Sequence, residues 1–200
     1  MGNQDFDQTA QYRSLADQIR NCRKCPGLNK KGVTESAPGF GNISARVMIV
    51  GQSLCRKCMV TQIPFTGGSG RLLDRAFANA GIKKTDVFIT NVVHCHTPNN
   101  RKSLPHEIIN CHNFLLRELA LVRPRALVLL GEDAVTSILG REAWPFRVGD
   151  KVTHDRYVIY PMYHPSYILR KGTAEANRYV ESLAHVLKTY ISPGVAETTH

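Results

Sequence analysis

Residues 90–111 read TNVVHCHTPNNRKSLPHEIINC, and the rest of the chain supplies partners for this stretch. It starts inside an apolar run at residues 87–93, crosses a turn-rich basic loop, and ends at the start of a helical pattern. It carries Asn91 near the end of the predicted strand and two cysteines, Cys95 and Cys111. Because polar residues at the ends of buried strands are available to a ligand, the stretch predicts a functional site.

Apolar runs predict four buried strands, at residues 47–50, 87–93, 126–130 and 157–160. Helical patterns separate them, with the main ones at residues 71–81, 105–122, 134–139 and 175–190, and an amphipathic pattern around residues 15–19 precedes them. Strands that alternate with helices predict an α/β fold, here a single-domain three-layer α/β/α structure with a central four-stranded parallel sheet. The domain is predicted to span residues 1–200, with 1–10 and 192–200 flexible.

The charge balance favours a polyanionic partner. There are 26 Lys and Arg residues against 16 Asp and Glu, which gives a net charge of +10. Nucleic acid is the first candidate for such a basic chain. The sequence has no apolar run of membrane-spanning length and no signal-peptide pattern, so we expect a cytoplasmic monomer without a membrane partner.

Six cysteines in a reducing compartment are expected to bind metal more often than to form disulfides. Cys22 and Cys25 are spaced so that both can reach one metal centre, and zinc, iron–sulfur and dithiol redox sites all use this spacing. For the second pair, Cys55 and Cys58, two interpretations remain open: a second metal site and a redox-active pair. We interpret them as ordinary loop cysteines, because the sequence has no ligand partner for them at a recognisable spacing.

Polar or small residues follow each of the predicted strands. Gln52, Asn91, Gly131 and His164 lie at or just after the four strand ends. In a parallel sheet these ends share one edge, so the four residues are expected to face a single crevice. The glycine-rich loop at residues 67–70 lacks the Gly-Lys-Ser/Thr ending of a P-loop, which argues against nucleoside triphosphate binding.

Taken in order, these motifs resemble the uracil-DNA glycosylase superfamily, and most of all its iron–sulfur branch, family 4. The resemblance covers residues 12–190 and is carried by Cys22-x-x-Cys25, VMIVG, PFTGGSGRLLD, TNVVHCHTPNNRKS, Cys111, RPRALVLLG and YHPS. It implies a monofunctional DNA glycosylase that hydrolyses the N-glycosidic bond of a flipped-out uracil and leaves an abasic site. It also implies a [4Fe–4S] cluster, held by Cys22, Cys25, Cys95 and Cys111.

The resemblance gives individual residues their roles. Asn91 matches the asparagine that reads the base, Phe65 the aromatic residue that stacks on it, and His164 the histidine that stabilises the departing uracil. Gly51, Gln52, Ser53 and Cys55 lie in the segment that positions water and bounds the base. The residues expected along single- or double-stranded DNA are Gly67, Ser69, Arg101, Lys102, Ser166 and Arg170.

The first motif departs from the family pattern. Family 4 has Gly-Glu-Ala-Pro-Gly where this chain has Gly51-Gln52-Ser53-Leu54-Cys55. The aspartate that positions water in family 1 is replaced by Ser53, and Cys55 occupies the position that excludes a thymine methyl. We therefore also expect activity on a 5-substituted uracil.

The alternative function is a non-catalytic or weakly catalytic binder of modified DNA, and an iron–sulfur redox protein is a third interpretation. The Arg-Arg-Ile-His insertion of covalent-trapping relatives is missing, so no covalent adduct is expected.

Overall fold

The computed structural model describes residues 2–147 and 149–191, with side chains from residue 7 onward. The strands in chain order are β1 (Phe40–Gly41), β2 (Val47–Leu54), β3 (Phe88–His96), β4 (Ala126–Leu130), β5 (Val152–His154) and β6 (Tyr157–Met162). The helices are α1 (Gly2–Arg20), α2 (Arg56–Thr61), α3 (Gly70–Ala80), α4 (Pro105–Val122), α5 (Glu132–Leu139), α6 (Pro165–Ile168) and α7 (Thr173–Ile191).

The four predicted strands form the centre of the sheet, in the order β3-β2-β4-β6, and all of their pairings are parallel. The prediction of a four-stranded sheet was nevertheless incomplete, because the sheet is mixed and has six strands. The antiparallel strands β1 and β5 occupy its two edges. All three residues of β5 are exposed. Edge strands of this kind carry no apolar run, which is the signal on which the sequence prediction relied.

Alternating side chains of the central strands fill two cores, one on each face of the sheet. Val47, Ile49 and Val128 face the layer that contains α3 and α7. Met48 and Leu127 face the opposite layer, which contains α4 and α5. Because successive strand residues point to opposite faces, a fully apolar strand of this kind needs helices on both sides. The chain is thus an α/β domain with helices on both faces of its sheet.

The N-terminal helix is longer than the sequence indicated. Residues 2–10, expected to be flexible, continue the helix α1 to Gly2. Leu15 and Ile19 of α1 pack against Phe114 of α4, so the helix joins the layer on that face. The other segment expected to be flexible, residues 192–200, lies outside the described residues. Within the described part of the chain, none of the helices is long and apolar enough to cross a membrane.

Candidate active site and cysteine-lined cavity

A small pocket at the carboxyl end of β2 and the middle of β3 is lined by Phe65, Asn91 and His164. Asn91 lies on β3 directly beside Gly51 of β2. The sequence indicated that Asn91 is close to the end of its strand, but β3 continues to His96, so the asparagine is at mid-strand. Its side chain is almost fully buried. The phenyl ring of Phe65 lies 6.1 Å from the imidazole of His164, measured between ring centroids, and the two planes are tilted by 36°.

Gly51 gives two of these side chains room to approach each other. A Cβ atom at this position would lie 2.6 Å from Oδ1 of Asn91 and 2.7 Å from Cζ of Phe65. Both distances are too short for any side chain, so the aromatic ring and the amide can share this space only because residue 51 is glycine. Gly51 therefore shapes the pocket floor through the absence of a side chain.

The backbone of Phe65 adopts a left-handed conformation, with φ of 54°, which is uncommon for an aromatic residue. The turn that follows is tight, because a Cβ atom on Gly70 would lie 1.7 Å from the carbonyl oxygen of Phe65. The same carbonyl accepts a hydrogen bond from Nζ of Lys84 at 3.2 Å. Left-handed non-glycine residues cluster at functional sites, where surrounding contacts hold them in place. Here those contacts aim the phenyl ring into the pocket.

The tautomer of His164 follows from its hydrogen bonds. The backbone N–H of Ser166 donates to Nδ1 at 3.3 Å, and Oγ of Ser166 lies 2.8 Å from the same nitrogen. Because Nδ1 accepts from a backbone amide, the ring proton resides on Nε2. Burial and the charge of Arg170 lower the pKa of His164 to about 4. The imidazole is therefore neutral at pH 7, with Nε2–H as its donor.

A larger crevice of about 710 Å³ adjoins the pocket and shares Ser53, Cys55 and His164 with it. Its size is in the range of sites that hold a nucleotide-sized ligand. The other predicted site residues in its lining are Gln52, Ser69, Lys102, Ser166 and Arg170. The sequence prediction missed further lining residues, among them Glu132, Asp133, Trp144 and Tyr163. Trp144 is the only tryptophan of the chain, but it lies in an irregular segment without a recognisable motif.

Arg101, expected along the DNA, forms an ion pair with Glu107. Its guanidinium donates two hydrogen bonds to the carboxylate of Glu107, at 2.9 and 2.5 Å, and a third to the carbonyl oxygen of Lys102. Glu107 is buried, and it also accepts from the backbone N–H of Leu104. The ion pair therefore fixes the basic loop against the first turn of α4. Arg101 is not among the described residues that line the crevice.

The four cysteines that the resemblance assigns to a cluster line one cavity, which shares no lining residue with the pocket of Asn91. Cys22, Cys25, Cys95 and Cys111 are free thiols, and the last three are buried. Burial raises the pKa of Cys25 and Cys95, and the neighbouring thiols raise the pKa of both further. Cys95, expected in the loop after the strand, lies within β3 itself. The cavity thus joins α1's end, β3 and α4.

A buried ion pair that the sequence prediction missed adjoins this cavity. Oε2 of Glu118 lies 3.1 Å from Nε2 of His94 and accepts from the hydroxyl of Thr90 at 2.5 Å. Burial alone lowers the pKa of His94, but the Glu118 carboxylate outweighs it and raises the pKa to about 10. The missed signal is Glu118 itself, a charged residue on the buried face of α4.

Cys55 and Cys58 form a disulfide, which corrects their interpretation as ordinary loop cysteines. While they are bonded, the two sulfurs offer no thiolate ligand to a second metal. The nearby histidines are engaged elsewhere: His94 pairs with Glu118, and Nδ1 of His96 lies 2.8 Å from the carbonyl oxygen of Leu54. Cys55 also caps α2, accepting a hydrogen bond from the backbone N–H of Cys58 at 3.1 Å.

The fold and the pocket together define an α/β domain whose binding site lies at the carboxyl ends of parallel strands. A family model narrows this class further. The chain belongs to the uracil DNA glycosylase superfamily, whose model matches residues 38–188. This finding confirms the resemblance inferred from the sequence motifs.

Individual relatives agree with the family match. The chain is 35% identical to the type-4 uracil-DNA glycosylase of Archaeoglobus fulgidus, over 78% of this chain and 81% of the relative. It is 33% identical to the type-4 enzyme of Thermotoga maritima, over 88% of this chain and 93% of the relative. It is also 32% identical to a type-5 uracil-DNA glycosylase of Pyrobaculum aerophilum, over 88% of this chain and 91% of the relative.

Proposed function

We propose that this protein is a DNA glycosylase that hydrolyses the N-glycosidic bond of a uracil base flipped out of DNA. The observation that carries the proposal is the shared pocket of Phe65, Asn91 and His164, which offers one aromatic face, one amide and one neutral imidazole donor. The names of the relatives, type-4 and type-5 uracil-DNA glycosylase, support the same activity.

Phe65 and Asn91 would hold the extruded base. An aromatic ring can stack on any flipped pyrimidine, while an amide that both donates and accepts distinguishes uracil from cytosine. Uracil presents an acceptor at O4 and a donor at N3, and the side chain of Asn91 complements both atoms. The burial of Asn91 excludes water from these hydrogen bonds, so a base with the opposite pattern would leave the amide unpaired.

His164 would stabilise the leaving group. When the bond between N1 of uracil and C1′ of the sugar breaks, the electron pair stays on the base and negative charge develops near O2. The Nε2–H of a neutral imidazole donates to that oxygen, and the low pKa of His164 keeps the ring neutral during this step. Water then adds its oxygen to C1′, and its released proton balances the charge of the uracil anion. Gln52 and Ser53, which line the crevice, would orient that water.

The crevice would carry the DNA strand on either side of the flipped nucleotide. Lys102 and Arg170 supply positive charge to its lining, and the hydroxyl of Ser69 is a polar contact for phosphate oxygens. Gly67 belongs to the same glycine-rich loop. The net charge of +10 adds a long-range attraction for DNA. The ion pair between Arg101 and Glu107 gives Arg101 a supporting role, as the residue that shapes the basic loop.

The donor set of the cysteine-lined cavity fits a [4Fe–4S] cluster, held by Cys22, Cys25, Cys95 and Cys111. The neighbouring thiols raise the pKa of Cys25 and Cys95, and binding of the four sulfurs to iron as thiolates would relieve this repulsion. Within the described residues no group of side chains is arranged around a single metal ion. A cluster of four iron atoms would offer each thiol its own iron, so the four sulfurs would not have to converge on one point. Such a cluster would cross-link the N-terminal segment, β3 and α4.

An abasic-site assay tests the proposed activity. The protein is incubated with a uracil-containing oligonucleotide, single- or double-stranded, and abasic sites are revealed by alkaline strand cleavage. We expect cleavage at the uracil position, and a loss of about 10²–10³-fold in rate for His164→Ala, as for the removal of one oxyanion donor. DNA binding without any abasic site would favour the alternative, a non-catalytic binder of modified DNA on the same fold.

The wall of the pocket at Cys55 bears on base preference. Because a cysteine occupies the position expected to exclude a methyl group, the pocket is proposed to admit a substituent at C5 of the base. Oligonucleotides that carry uracil, 5-hydroxymethyluracil or thymine are compared in the same assay. Measurable excision of 5-hydroxymethyluracil is the expected result, whereas strict preference for uracil would end this part of the proposal.

A further inference from the structure

The disulfide between Cys55 and Cys58 forms part of the pocket wall. The two Cα atoms are 5.0 Å apart, and both residues line the pocket together with Phe65, Asn91 and His164. The remaining four cysteines are free and line the separate cysteine-lined cavity. The chain therefore carries a second group of redox-capable sulfurs, and this group borders the site where the base is proposed to bind.

The two sulfurs differ in access. Cys58 is only 3% exposed, whereas Cys55 is half-buried and also lines the open crevice of about 710 Å³. A small thiol that enters the crevice can thus reach the sulfur of Cys55 first. The residues between the cysteines, Arg56 and Lys57, are exposed cations. Positive charge beside a cysteine favours its thiolate, which is the form that takes part in thiol–disulfide exchange.

The Cys55 side chain lies between a fixed strand end and the glycine-rich loop. The strand just before it is fixed, because the carbonyl oxygen of Leu54 lies 2.8 Å from Nδ1 of the buried His96. On the other side, Sγ of Cys55 lies 3.0 Å from where a Cβ atom of Gly67 would be, so the sulfur packs on the glycine-rich loop. A change in the position of this sulfur therefore alters both the pocket and the loop beside the crevice.

We propose that Cys55 and Cys58 are a redox-active pair whose oxidation state sets the shape of the base pocket and the rate of base excision. In reduction, a thiolate attacks Sγ of Cys55 and Cys58 leaves as a thiolate. A second thiol then displaces the mixed disulfide, so that two external thiols are oxidised to one disulfide and both cysteines gain a proton. The separated sulfurs need about 3.5 Å or more between them, against about 2 Å when bonded.

The oxidised form is the more active one, because the disulfide holds the wall and the first turn of α2 in a single arrangement around the base. Freed by reduction, the Cys55 side chain can rotate toward the pocket or away from it. This consequence rests on the proposed glycosylase function, while the redox exchange itself does not. The expected effect is a decrease of at least about threefold in kcat/KM on reduction.

Peptide mapping of the loaded protein tests the exchange without any activity measurement. Trypsin cleaves after Arg56 and Lys57, so the oxidised form yields a linked pair of peptides, residues 47–56 and 58–71, each with one cysteine. The protein is equilibrated in buffers with varied ratios of reduced to oxidised dithiothreitol, then alkylated and digested. We expect reversible interconversion with one midpoint and unchanged visible absorption of the cluster. If the linked peptides are found at none of the dithiothreitol ratios, or if the disulfide is reduced only when the protein unfolds, the proposal is overturned.

Uracil release by the oxidised and reduced forms then tests the consequence. The rates of the oxidised and reduced wild-type protein should differ. The difference should vanish in Cys58→Ser, which cannot form the disulfide. Cys58→Ala serves as a second variant in case the serine hydroxyl disturbs the buried site. Equal wild-type rates in the two forms would overturn the inference and leave the proposed function intact. Absence of uracil release in both forms would instead contradict the proposed function, and the peptide map would still decide whether the pair exchanges.

Discussion

At the scale of single residues, the site depends on how His164 is held. Ser166 both donates its backbone N–H to Nδ1 and places its hydroxyl 2.8 Å from that nitrogen, so the residue fixes the tautomer. The sequence motif HPS suggested a phosphate contact for this serine, but its closest polar partner in the structure is the imidazole. The two roles predict different kinetic effects.

Replacement of Ser166 by alanine is expected to lower kcat and to leave the Kd for DNA unchanged. The lost hydrogen bond is worth about 1 kcal/mol, which corresponds to a decrease of about fivefold. Ser166→Thr, which keeps the hydroxyl, serves as the matched control. Single-turnover excision rates and a binding titration check the prediction, and a raised Kd with normal kcat would support the phosphate contact instead.

The lowered pKa of His164 predicts a pH dependence of stability. The folded protein binds this proton only near pH 4, whereas the unfolded chain binds it near pH 6.5. The stability that neutral His164 contributes is thus fully present above pH 6.5 and is lost as the pH falls toward 4. Urea denaturation at pH 7 and pH 4.5 should show a smaller loss for His164→Gln than for the wild type. Equal losses in the two proteins would argue against the shift.

At the scale of elements, strand β3 connects the two functional regions. Asn91 faces the pocket and Cys95, four residues later, faces the cysteine-lined cavity, so about 13 Å of rigid strand separates them. Glu118 of α4 holds this strand by accepting hydrogen bonds from Thr90 and from the backbone N–H of Gly39, and by pairing with His94. The carboxylate thereby ties α4, β3 and the loop before β1 together.

Glu118→Ala is expected to destabilise the protein by about 3–5 kcal/mol, because it leaves His94 buried without its counter-charge. Glu118→Gln keeps the shape of the side chain and should cost less. Glu181→Ala, an exposed glutamate on α7, should stay within about 0.5 kcal/mol of the wild type. Urea denaturation measures all three, and a similar small effect for Glu118→Ala and Glu181→Ala would refute the role of the buried pair.

The central elements could be predicted from sequence because their signal is local. The four buried strands are continuous apolar runs, and α4 begins at Pro105 and ends at Val122 as its pattern indicates. The edge strands could not be predicted, because they form by pairing with a neighbouring strand and have no periodic apolar pattern of their own. The helices α2 and α6 could not be predicted either, because they are too short to show helical periodicity. The extension of β3 to His96 was missed because polar residues in its last third hid a fully buried segment.

At the scale of the whole molecule, charge directs the protein toward DNA. The net charge of +10 is a property of the full chain, but the crevice receives only part of it, through Lys102 and Arg170. Lys102 shares its charge with Glu132 across an exposed pair, at 3.0 Å, which a phosphate can displace at little cost. The sequence could count the charges, but only the fold separates those in the crevice from those engaged elsewhere, such as Arg101.

Neutralising a crevice cation should weaken DNA binding and flatten its salt dependence. For Arg170→Ala and for Lys102→Ala we expect the slope of log K against log salt concentration to fall in magnitude by about 1. Lys188→Ala, an exposed lysine on α7 outside the crevice lining, is the control for net charge alone. Titrations at several salt concentrations measure the slopes, and equal slopes in all variants would place the DNA on another surface.

The candidate site was predicted as a set of residues, and the structure adds how they are assembled. Phe65, Asn91 and His164 come from three separate parts of the chain; the strand-end argument brought Asn91 and His164 together, and the resemblance added Phe65. The disulfide of Cys55 and Cys58 could not be predicted, because the spacing is shared by metal, redox and structural cysteines. The space that Gly51 leaves for Asn91 and Phe65 could not be predicted either, because it depends on side chains that approach from other segments.

The central claim is that Asn91 and His164 act on one base in one pocket, and a double-mutant cycle of single-turnover uracil excision tests it most directly. We expect Asn91→Ala and His164→Ala each to slow excision by about 10²-fold or more, and the double variant to be slower by less than the product of the two losses. A wild-type protein that releases no uracil, or losses that multiply fully as for independent sites, would contradict the account.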